Sequence, residues 1–208
     1  MARQTKEKAA QTREAILDAA EQIFLERGVT RASLEDIARA AGVTRGAVYW
    51  HFRGKLDLFL AIKQRLLLPQ EELLSRLGQQ ADPDPVAELE QALEATFDSF
   101  SRDPRRQRQL TVLFLRCEYV GEMAPALSRQ VEAQKALAAA LSRLFRLGHA
   151  RRPLAAPWLP DEAAMAVHSL VHGMLLRWLR DPAEFRLLPD GLAILRALLA
   201  TMRADGRG

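Results

Sequence analysis

The strongest constraint on the fold of this chain is one short stretch near its N-terminus, SLEDIARAAGVTRGAVYWHFRGK. It begins with Ser33, a good helix N-cap, and residues 34–41 then place four apolar side chains on one helical face. Gly42 permits the backbone of a sharp reversal. Thr44 is a second N-cap, from which a helix continues through Phe52. The pattern predicts a helix-turn-helix, whose second helix is suited to a DNA major groove.

The rest of the chain also favours helices. Of its 208 residues 49% are apolar, glycine and proline are few, and strand-like alternation never exceeds a few residues. No apolar stretch approaches the ~20 residues of a membrane span, and the charged N-terminus does not resemble a signal peptide. A single cysteine excludes an intrachain disulfide framework. We therefore expect an all-α cytoplasmic protein without a membrane partner.

Glycines and Asp-Pro pairs divide the sequence into about nine predicted helices, with Gly28 and Gly148 as stop signals. Pro69 interrupts the fourth helix, which either contains a functional hinge there or simply ends before a new helix begins. The predicted bounds are 12–27 for the first helix, 125–147 for a long helix, 161–180 and 189–203 for the last two, with a loop at 149–160. We expect a three-helix DNA-binding head at 1–55 and a larger helical body at 56–208.

Positive charge is concentrated in the predicted head. Residues 1–55 carry ten Lys/Arg against seven Asp/Glu, whereas the whole chain has a net charge of +4. Most of the excess positive charge therefore lies in the first quarter of the chain, which is compatible with a nucleic-acid partner.

The run TRGAVYWHF at residues 44–52 resembles the DNA-binding end of the TetR family of transcriptional regulators. The small residue Ala38, the turn residue Gly42 and the aliphatic Val48 match the spacing of that family. With the opening MARQTKEKAAQTRE, the run is similar to the AcrR-type repressors of multidrug efflux pumps. The resemblance implies a ligand-responsive repressor that binds double-stranded DNA at a palindromic operator as a homodimer.

The same resemblance gives individual residues of the head a role. Arg45 begins the recognition helix and suits guanine O6 and N7, while hydroxyls at the two N-caps suit phosphates. Tyr49 and His51 have polar tips for phosphate oxygens, and Trp50 is suited to a sugar or a thymine methyl. The expected DNA contacts are Thr5, Lys6, Ser33, Thr44, Arg45, Gly46, Ala47, Tyr49, Trp50, His51 and Lys55.

A competing interpretation makes the aromatic residues of the second helix ordinary core. We accept it for Phe52, which shares a helical face with Val48. It does not fit Tyr49, Trp50 and His51 together, because a short helix cannot bury consecutive large residues all round. We therefore expect some of these three to face outward.

The segment VLFLRCEYVGEM at 112–123 again resembles the AcrR-type repressors, whose fourth to eighth helices enclose an apolar cavity for diverse drugs. The resemblance implies a small hydrophobic effector, although each lining residue could instead be simple core. The expected lining residues are Leu67, Leu93, Phe97, Leu113, Phe114, Cys117, Met123, Gln134, His168, Val171, His172 and Leu175.

The last two helices are the expected dimer interface. The penultimate helix is apolar on nearly all sides, so we expect one side to meet the interior and the other a partner subunit. Ordinary core within one chain remains the alternative. The expected interface residues are Val167, Leu170, Met174, Leu192, Leu195, Leu199 and Met202.

Other chemistries find little support in the sequence. His168 and His172 have metal-ligand spacing, but no further ligand obviously completes a site. Cys117 lies among apolar residues that disfavour its thiolate, which leaves thiol sensing as a minor alternative. Since no phosphate-binding loop, GxGxxG or HExxH motif is present, we expect no enzyme, metal or cofactor. An activator, or a regulator controlled by a partner protein, remains the alternative function.

Overall fold

A computed structural model describes residues 2–66 and 84–203, so the predictions for Leu67 and Pro69 lie outside the described residues. Within these ranges the chain forms nine α-helices and no β-strand, which confirms the all-α prediction. The helices are α1 Ala2–Arg27, α2 Leu34–Ala40, α3 Arg45–His51, α4 55–66, α5 Pro85–Arg102, α6 Pro104–Leu115, α7 Ala124–Arg151, α8 Pro160–Arg180 and α9 Leu192–Met202. In the described ranges no helix is both long and apolar enough to span a membrane.

The described residues form two compact units. The first comprises residues 2–66 and 105–130, and the second comprises 84–104 and 131–203. The first unit therefore joins the helix-turn-helix head to α4, α6 and the beginning of α7. A functional boundary at residue 55 stays a prediction.

The head of the first unit is three packed helices, α1 to α3. Ile16, Phe24, Ile37 and Val48 are fully buried, as the spacing of apolar residues predicts. The turn between α2 and α3 depends on Gly42, whose φ of +67° lies in the left-handed region that side chains with a Cβ rarely adopt. Local residue chemistry thus fixes the orientation of α3.

Two predicted helix ends are wrong. The first helix begins at Ala2 instead of Thr12, because the Lys, Glu, Gln and Ala residues before Thr12 are good helix formers. The long helix passes through Gly148 and ends at Arg151, before Pro153. An interior glycine costs a helix only about 1 kcal/mol, whereas a proline disfavours helical backbone in the residue before it.

The second unit packs α5, α8 and α9 around a shared core. Asp84 caps α5 by accepting hydrogen bonds from the N–H groups of Val86 and Ala87, as the Asp-Pro signal predicts. Arg196 of α9 pairs with Glu90 and Glu94 of α5 at 2.8 and 2.9 Å. These contacts fix α9 against α5 within this unit.

Candidate nucleic-acid interface and effector-binding residues

The helix-turn-helix is held by its two predicted caps. Ser33 Oγ accepts the N–H of Asp36 at 3.1 Å and donates to Asp36 Oδ2 at 2.7 Å. The hydrogen bond from Ser33 and the nearby Arg27 guanidinium hold the pKa of Asp36 below its usual range. Thr44 Oγ1 accepts the N–H of Ala47 at 3.1 Å, at the start of α3. Both hydroxyls satisfy backbone N–H groups that helix formation leaves without partners.

The recognition helix α3 presents large side chains to solvent. Trp50 is 73% exposed and Tyr49 is 49% exposed, which confirms the prediction that some aromatic residues face outward. Arg45 Nη2 donates to Tyr49 Oη at 3.3 Å, and its guanidinium lies 5.5 Å from the centre of the Tyr49 ring. The hydrogen bond to Tyr49 also raises the pKa of Arg45. A cation is therefore held beside the Tyr49 ring on the open face of a capped helix.

The opposite side of α3 belongs to the core. Phe52 is 2% exposed, as predicted, and Arg13 of α1 lies over its ring at 5.2 Å. The half-buried His51 stacks edge-on against Trp50, with ring centres 4.4 Å apart. Burial and the charge of Arg13 lower the pKa of His51, which favours the neutral imidazole. A neutral imidazole still has one N–H for a phosphate oxygen.

The remaining expected DNA contacts fall on α1 and the first turn of α3. Gly46 is exposed and Ala47 is half-buried, so both leave room for a close neighbour on this face. Thr5 and Lys6 are part of α1 and not of an irregular arm, with the Lys6 side chain exposed. A helical N-terminus offers Lys6 to a phosphate, but it is less suited to entering a minor groove as an extended segment.

Lys55 departs from its expected role as a phosphate contact. Its Nζ donates to the Thr30 carbonyl at 2.8 Å and pairs with Glu122 Oε1 at 2.8 Å, while its side chain is only 13% exposed. The turn Gly121–Met123 brings this carboxylate to the start of α4. Lys55 thus makes structural contacts that sequence spacing could not reveal, because Glu122 is far along the chain, and its phosphate contact stays a prediction.

The segment between α6 and α7, residues 116–123, packs directly on the head. The Val29 N–H donates to the Arg116 carbonyl at 2.9 Å. The Phe59 ring of α4 meets Tyr119 edge-on, with ring centres 6.1 Å apart. Tyr119 Oη donates to the Leu113 carbonyl at 2.8 Å, and burial raises its pKa to about 12. Together with the Lys55 ion pair, these contacts connect the segment between α6 and α7 to the loop between α1 and α2 and to α4.

A charged cluster binds α4 and α6 to α1. Arg65 of α4 pairs with Glu14, with Asp18 at 3.0 Å and with the buried Glu21 at 2.7 Å. Burial opposes the charge of Arg65, but hydrogen bonds to Glu21 and Glu14 outweigh it and raise its pKa. Gln109 of α6 donates to Glu21 Oε1 at 2.8 Å, also in the interior. The spacing of residues does not predict this cluster, although Glu21 within the apolar face of α1 is a sequence signal of it.

The expected effector-binding residues divide between the two units. In the first unit Leu113 and Met123 are buried, and Phe114 and Cys117 are half-buried. The second unit holds buried positions on α5 and α8 and half-buried positions on α7 and α8. These are Leu93, Phe97 and Leu175 among the buried, and Gln134, His168, Val171 and His172 among the half-buried residues. Their role as effector contacts stays a prediction.

His168 and Cys117 have environments that suppress their charged forms. The rings of His168 and His172 are stacked, with centres 6.4 Å apart. Burial, assisted by the neighbouring His172, lowers the pKa of His168. Burial, with a contribution from Glu118, raises the pKa of Cys117 to about 11. Within the described ranges no three His, Cys, Asp or Glu side chains are grouped to hold a metal ion.

A small cavity in the second unit lies away from the expected effector-binding residues. It has a volume of about 20 Å³ and is lined by Phe145 and His149 of α7, by Met202 and Arg203, and by the start of α5. That volume is enough for a single water molecule. The cavity is therefore not the drug-sized site that the sequence predicts.

The expected dimer interface needs correction. Six of its seven residues are buried within the single chain, and only Leu170 is half-buried. Their apolar spacing marks the face of α8 and α9 that packs inside the second unit, so they are not available to a partner. The buried residues are Val167, Met174, Leu192, Leu195, Leu199 and Met202. Met165 and Ile194, which are 69% and 45% exposed, lie on the outer faces of the same helices.

Two protein-family profiles match the chain. The profile of bacterial regulatory proteins of the tetR family covers residues 16–62, which include the helix-turn-helix. The profile of the C-terminal region of MAATS-type transcriptional repressors covers residues 84–203. The two matches account for both the head and the body.

Individual relatives agree with these matches. The chain is 42% identical to the HTH-type transcriptional repressor BepR of Brucella suis over 97% of each chain. It is also similar to the crystal structure of NalD, the secondary repressor of the MexAB-OprM multidrug efflux pump in Pseudomonas aeruginosa. This match has a TM-score of 0.86 and 38% identity, and it covers 96% of this chain and 99% of NalD. Its match to a complex of triclosan with SmeT, the repressor of the Stenotrophomonas maltophilia SmeDEF pump, has a TM-score of 0.84 and 33% identity, covering 94% of this chain and 93% of SmeT. The chain therefore belongs to the TetR family of transcriptional regulators, as the run at residues 44–52 predicts, and it is similar to multidrug-efflux repressors.

Proposed function

We propose that this chain is a repressor that binds a palindromic operator as a homodimer and leaves it when a small hydrophobic effector binds the body. The observation that carries the proposal is the open face of α3, where Arg45, Tyr49 and Trp50 lie together on a capped helix. A large aromatic side chain exposed on a small head suggests a binding surface. A guanidinium beside it is suited to the base edges of a major groove.

A homodimer follows from the size of the head. One head covers one half-site, and helix-turn-helix dimers read two half-sites about 34 Å apart. Met165 of α8 and Ile194 of α9 support a two-fold contact through the outer faces of these helices, because large apolar side chains are exposed there. The exposed outer faces at Met165 and Ile194 therefore replace the buried residues of α8 and α9 as the proposed interface.

The proposed target is a multidrug efflux operon. Support comes from NalD and SmeT, which are both described as repressors of such pumps. SmeT has been solved with triclosan, and this supports a hydrophobic effector for the present chain as well. DNA as the partner also supports a cytoplasmic location for the protein.

Release requires that the effector bind the DNA-free arrangement more tightly than the DNA-bound one. The proposed route runs through α4, because the start of this helix is tied to the head by Lys55 and Thr30. A second connection is the segment 116–123, which contacts the head at Val29 and α4 at Phe59. Movement of either element would change the position of α3, and thus the separation of two heads in a dimer.

Two other functions are weaker candidates. An activator, or a regulator controlled by a partner protein, would use the same face of α3. Direct binding of a hydrophobic compound distinguishes a small-molecule regulator from one controlled by a protein. Catalysis is not part of the proposal, because both matched profiles describe transcriptional regulators.

The experiment is a fluorescence-anisotropy titration of the purified protein against DNA from upstream of its own gene, with scrambled DNA as the control. We expect selective binding that is reversed by triclosan at constant protein concentration. Equal affinity for the scrambled DNA would contradict operator binding at this site. Selective binding that triclosan and other hydrophobic compounds leave unchanged would instead favour the regulator controlled by a partner protein.

A further inference from the structure

Glu21 is a carboxylate within the apolar face of α1. It lies one turn after Leu17 and one turn before Phe24, and both of these side chains are fully buried. The Glu21 side chain itself is only 3% exposed. Glutamate is almost never fully buried unless it is paired, because an ionised carboxylate loses its hydration in the interior. The partners of Glu21 therefore decide how other helices can pack on α1 at this point.

These partners come from two other helices of the first unit. Arg65 of α4 donates to Glu21 Oε1 at 2.7 Å, and Gln109 of α6 donates to the same oxygen at 2.8 Å. Gln109 is itself 3% exposed. Arg105, one turn before Gln109 on α6, places its Nε 3.6 Å from Glu21 Oε2. The three side chains Glu21, Arg65 and Gln109, here called the Glu21 network, thus join α1, α4 and α6 through one buried carboxylate.

Stability alone does not explain a buried network of this kind. The cost of removing two charges from water can exceed their mutual attraction, and apolar residues of similar volume often replace a buried ion pair without loss of stability. Hydrogen bonds, however, weaken steeply when their distance or angle changes, whereas the hydrophobic effect is non-directional. The Glu21 network therefore restricts the position of α6 relative to α1 and α4 more closely than apolar contacts alone would.

We propose that the Glu21 network couples the position of α6 to that of α1 and α4, and thereby makes operator binding respond to the effector. The inference rests on the proposed function and names the residues through which its effector acts on the head. A movement of α6 changes the hydrogen bond from Gln109 to Glu21, and so acts on α1, which packs against α3. Hydrogen-bond networks with discrete arrangements can carry coupling between distant sites in this way.

The test removes the network as a whole. The triple variant Glu21→Leu/Arg65→Met/Gln109→Leu exchanges all three side chains for apolar ones of similar size. Glu14 and Asp18, the other partners of Arg65, are more than half exposed, so water can solvate them when the guanidinium is absent. We therefore expect the triple variant to melt at the temperature of the parent protein or higher, and to bind operator within about twofold of the parent's affinity when no effector is present.

The measured quantity is the release factor, defined as the ratio of the operator dissociation constants with and without saturating triclosan. Anisotropy gives both constants for the full-length protein. The parent protein should have a release factor of at least about five, the lower end of typical allosteric couplings. The triple variant should have a release factor below about two, although calorimetry should show that it binds triclosan within about threefold of the parent's affinity. Effector binding would then persist without its effect on DNA.

A single variant and a matched control complete the experiment. Gln109→Leu removes only the contact from α6 and leaves the pair of Glu21 and Arg65 in place, so it keeps the test valid if the triple variant fails to fold. It should lower the release factor and leave operator binding without triclosan unchanged. The control is Arg146→Met/Asp161→Asn, which breaks an exposed ion pair between α7 and α8. Because exposed pairs contribute little, the control should keep the parent's release factor.

The inference is overturned if Gln109→Leu or the folded triple variant keeps the parent's release factor, or if the control loses release to the same extent. Loss of triclosan binding together with release would make these residues part of the effector site, and would also overturn it. A lower melting temperature together with lost operator binding in Gln109→Leu would show a purely structural network, with the same consequence. These results leave the proposed function intact. A parent protein that binds no operator selectively, or that triclosan and other hydrophobic compounds fail to release, would instead contradict the proposed function, and the inference would fall with it.

Discussion

Arg45 is positioned before any DNA is bound. Its guanidinium contacts the hydroxyl and the ring face of Tyr49 within the same short helix. A side chain that is already held in place loses less conformational freedom when it forms a bidentate contact with a base. We therefore expect Tyr49 to contribute to recognition through Arg45, in addition to any phosphate contact of its own.

Gly46 provides a test of close approach between α3 and DNA. A Cβ at this position would lie 3.8 Å from Thr44 Oγ1, an ordinary contact, and the backbone there is helical. Gly46→Ala should therefore stabilise the free protein by up to about 1 kcal/mol. It should also weaken operator binding by about tenfold, or ~1.4 kcal/mol, because the methyl group separates the helix from the groove.

Thermal unfolding and DNA anisotropy measure these two effects of Gly46→Ala in the same sample. A stabilised variant with the affinity of the parent protein would show that the backbone of α3 does not approach DNA closely at this point.

Cys117 should react slowly in the folded protein. A pKa of about 11 leaves a thiolate fraction at pH 7.5 about a hundredfold below that of an ordinary thiol. Alkylation by iodoacetamide, followed by mass spectrometry, should therefore be about a hundredfold slower in the native protein than in denaturant. Comparable rates in the two states would point to an activated thiol and would revive the thiol-sensing alternative.

At the scale of elements, local hydrogen bonds explain why the starts of several helices could be predicted from the sequence. The caps Ser33, Thr44 and Asp84 act on N–H groups two or three residues away, so their spacing alone located the starts of α2, α3 and α5. The early start of α1 and the passage of α7 through Gly148 were missed. In both cases residues that favour helices extended the helix beyond its predicted end, which was Thr12 in α1 and Gly148 in α7.

Contacts between distant segments could not be predicted in this way. The partner of Lys55 is Glu122, and no pattern of spacing connects the two. Apolar periodicity correctly marked one face of α9 as buried, but periodicity does not distinguish cover by the same chain from cover by a partner. Leu195 and Leu199 are fully buried inside their own unit, so this part of the site required the tertiary structure.

The two interpretations of Lys55 give different results in a salt titration of operator binding. If Lys55 connects α4 to Glu122 and Thr30, Lys55→Met should lower the free energy of unfolding by about 1 kcal/mol and leave the salt slope unchanged. If it neutralised a phosphate, the slope would fall by about one.

Lys6→Met is the matched control for this titration, because Lys6 is an exposed lysine at the expected DNA-facing end of α1. This variant should reduce the slope without changing the stability. A reduced slope for Lys55→Met at unchanged stability would restore its predicted phosphate contact.

At the scale of the whole molecule, operator recognition requires two heads and one symmetric body. A palindrome is read by two copies of α3 whose spacing is set by the dimer interface. The single chain buries the stripe of apolar residues on α8 and α9, and leaves Met165 and Ile194 outside. Assembly and operator binding should therefore be lost together when these outer residues are changed.

The double variant Met165→Glu/Ile194→Glu should be monomeric, because it places two carboxylates on each side of the proposed interface. Size-exclusion chromatography with light scattering gives the mass directly. Leu147→Glu is the control, since Leu147 is 62% exposed on α7, outside the proposed interface, and should leave the dimer intact. A dimeric double variant would place the two-fold contact elsewhere.

The most direct test of the central claim, that the open face of α3 reads an operator, is the selectivity of Arg45→Ala. Affinities for operator and scrambled DNA are measured by anisotropy at several salt concentrations, for the parent protein and for the variant. The account predicts that Arg45→Ala weakens operator binding by about 1–3 kcal/mol and reduces the operator-to-scrambled ratio. If the variant keeps the parent's ratio at every salt concentration, α3 does not read the sequence through Arg45, and the proposed recognition mechanism is wrong.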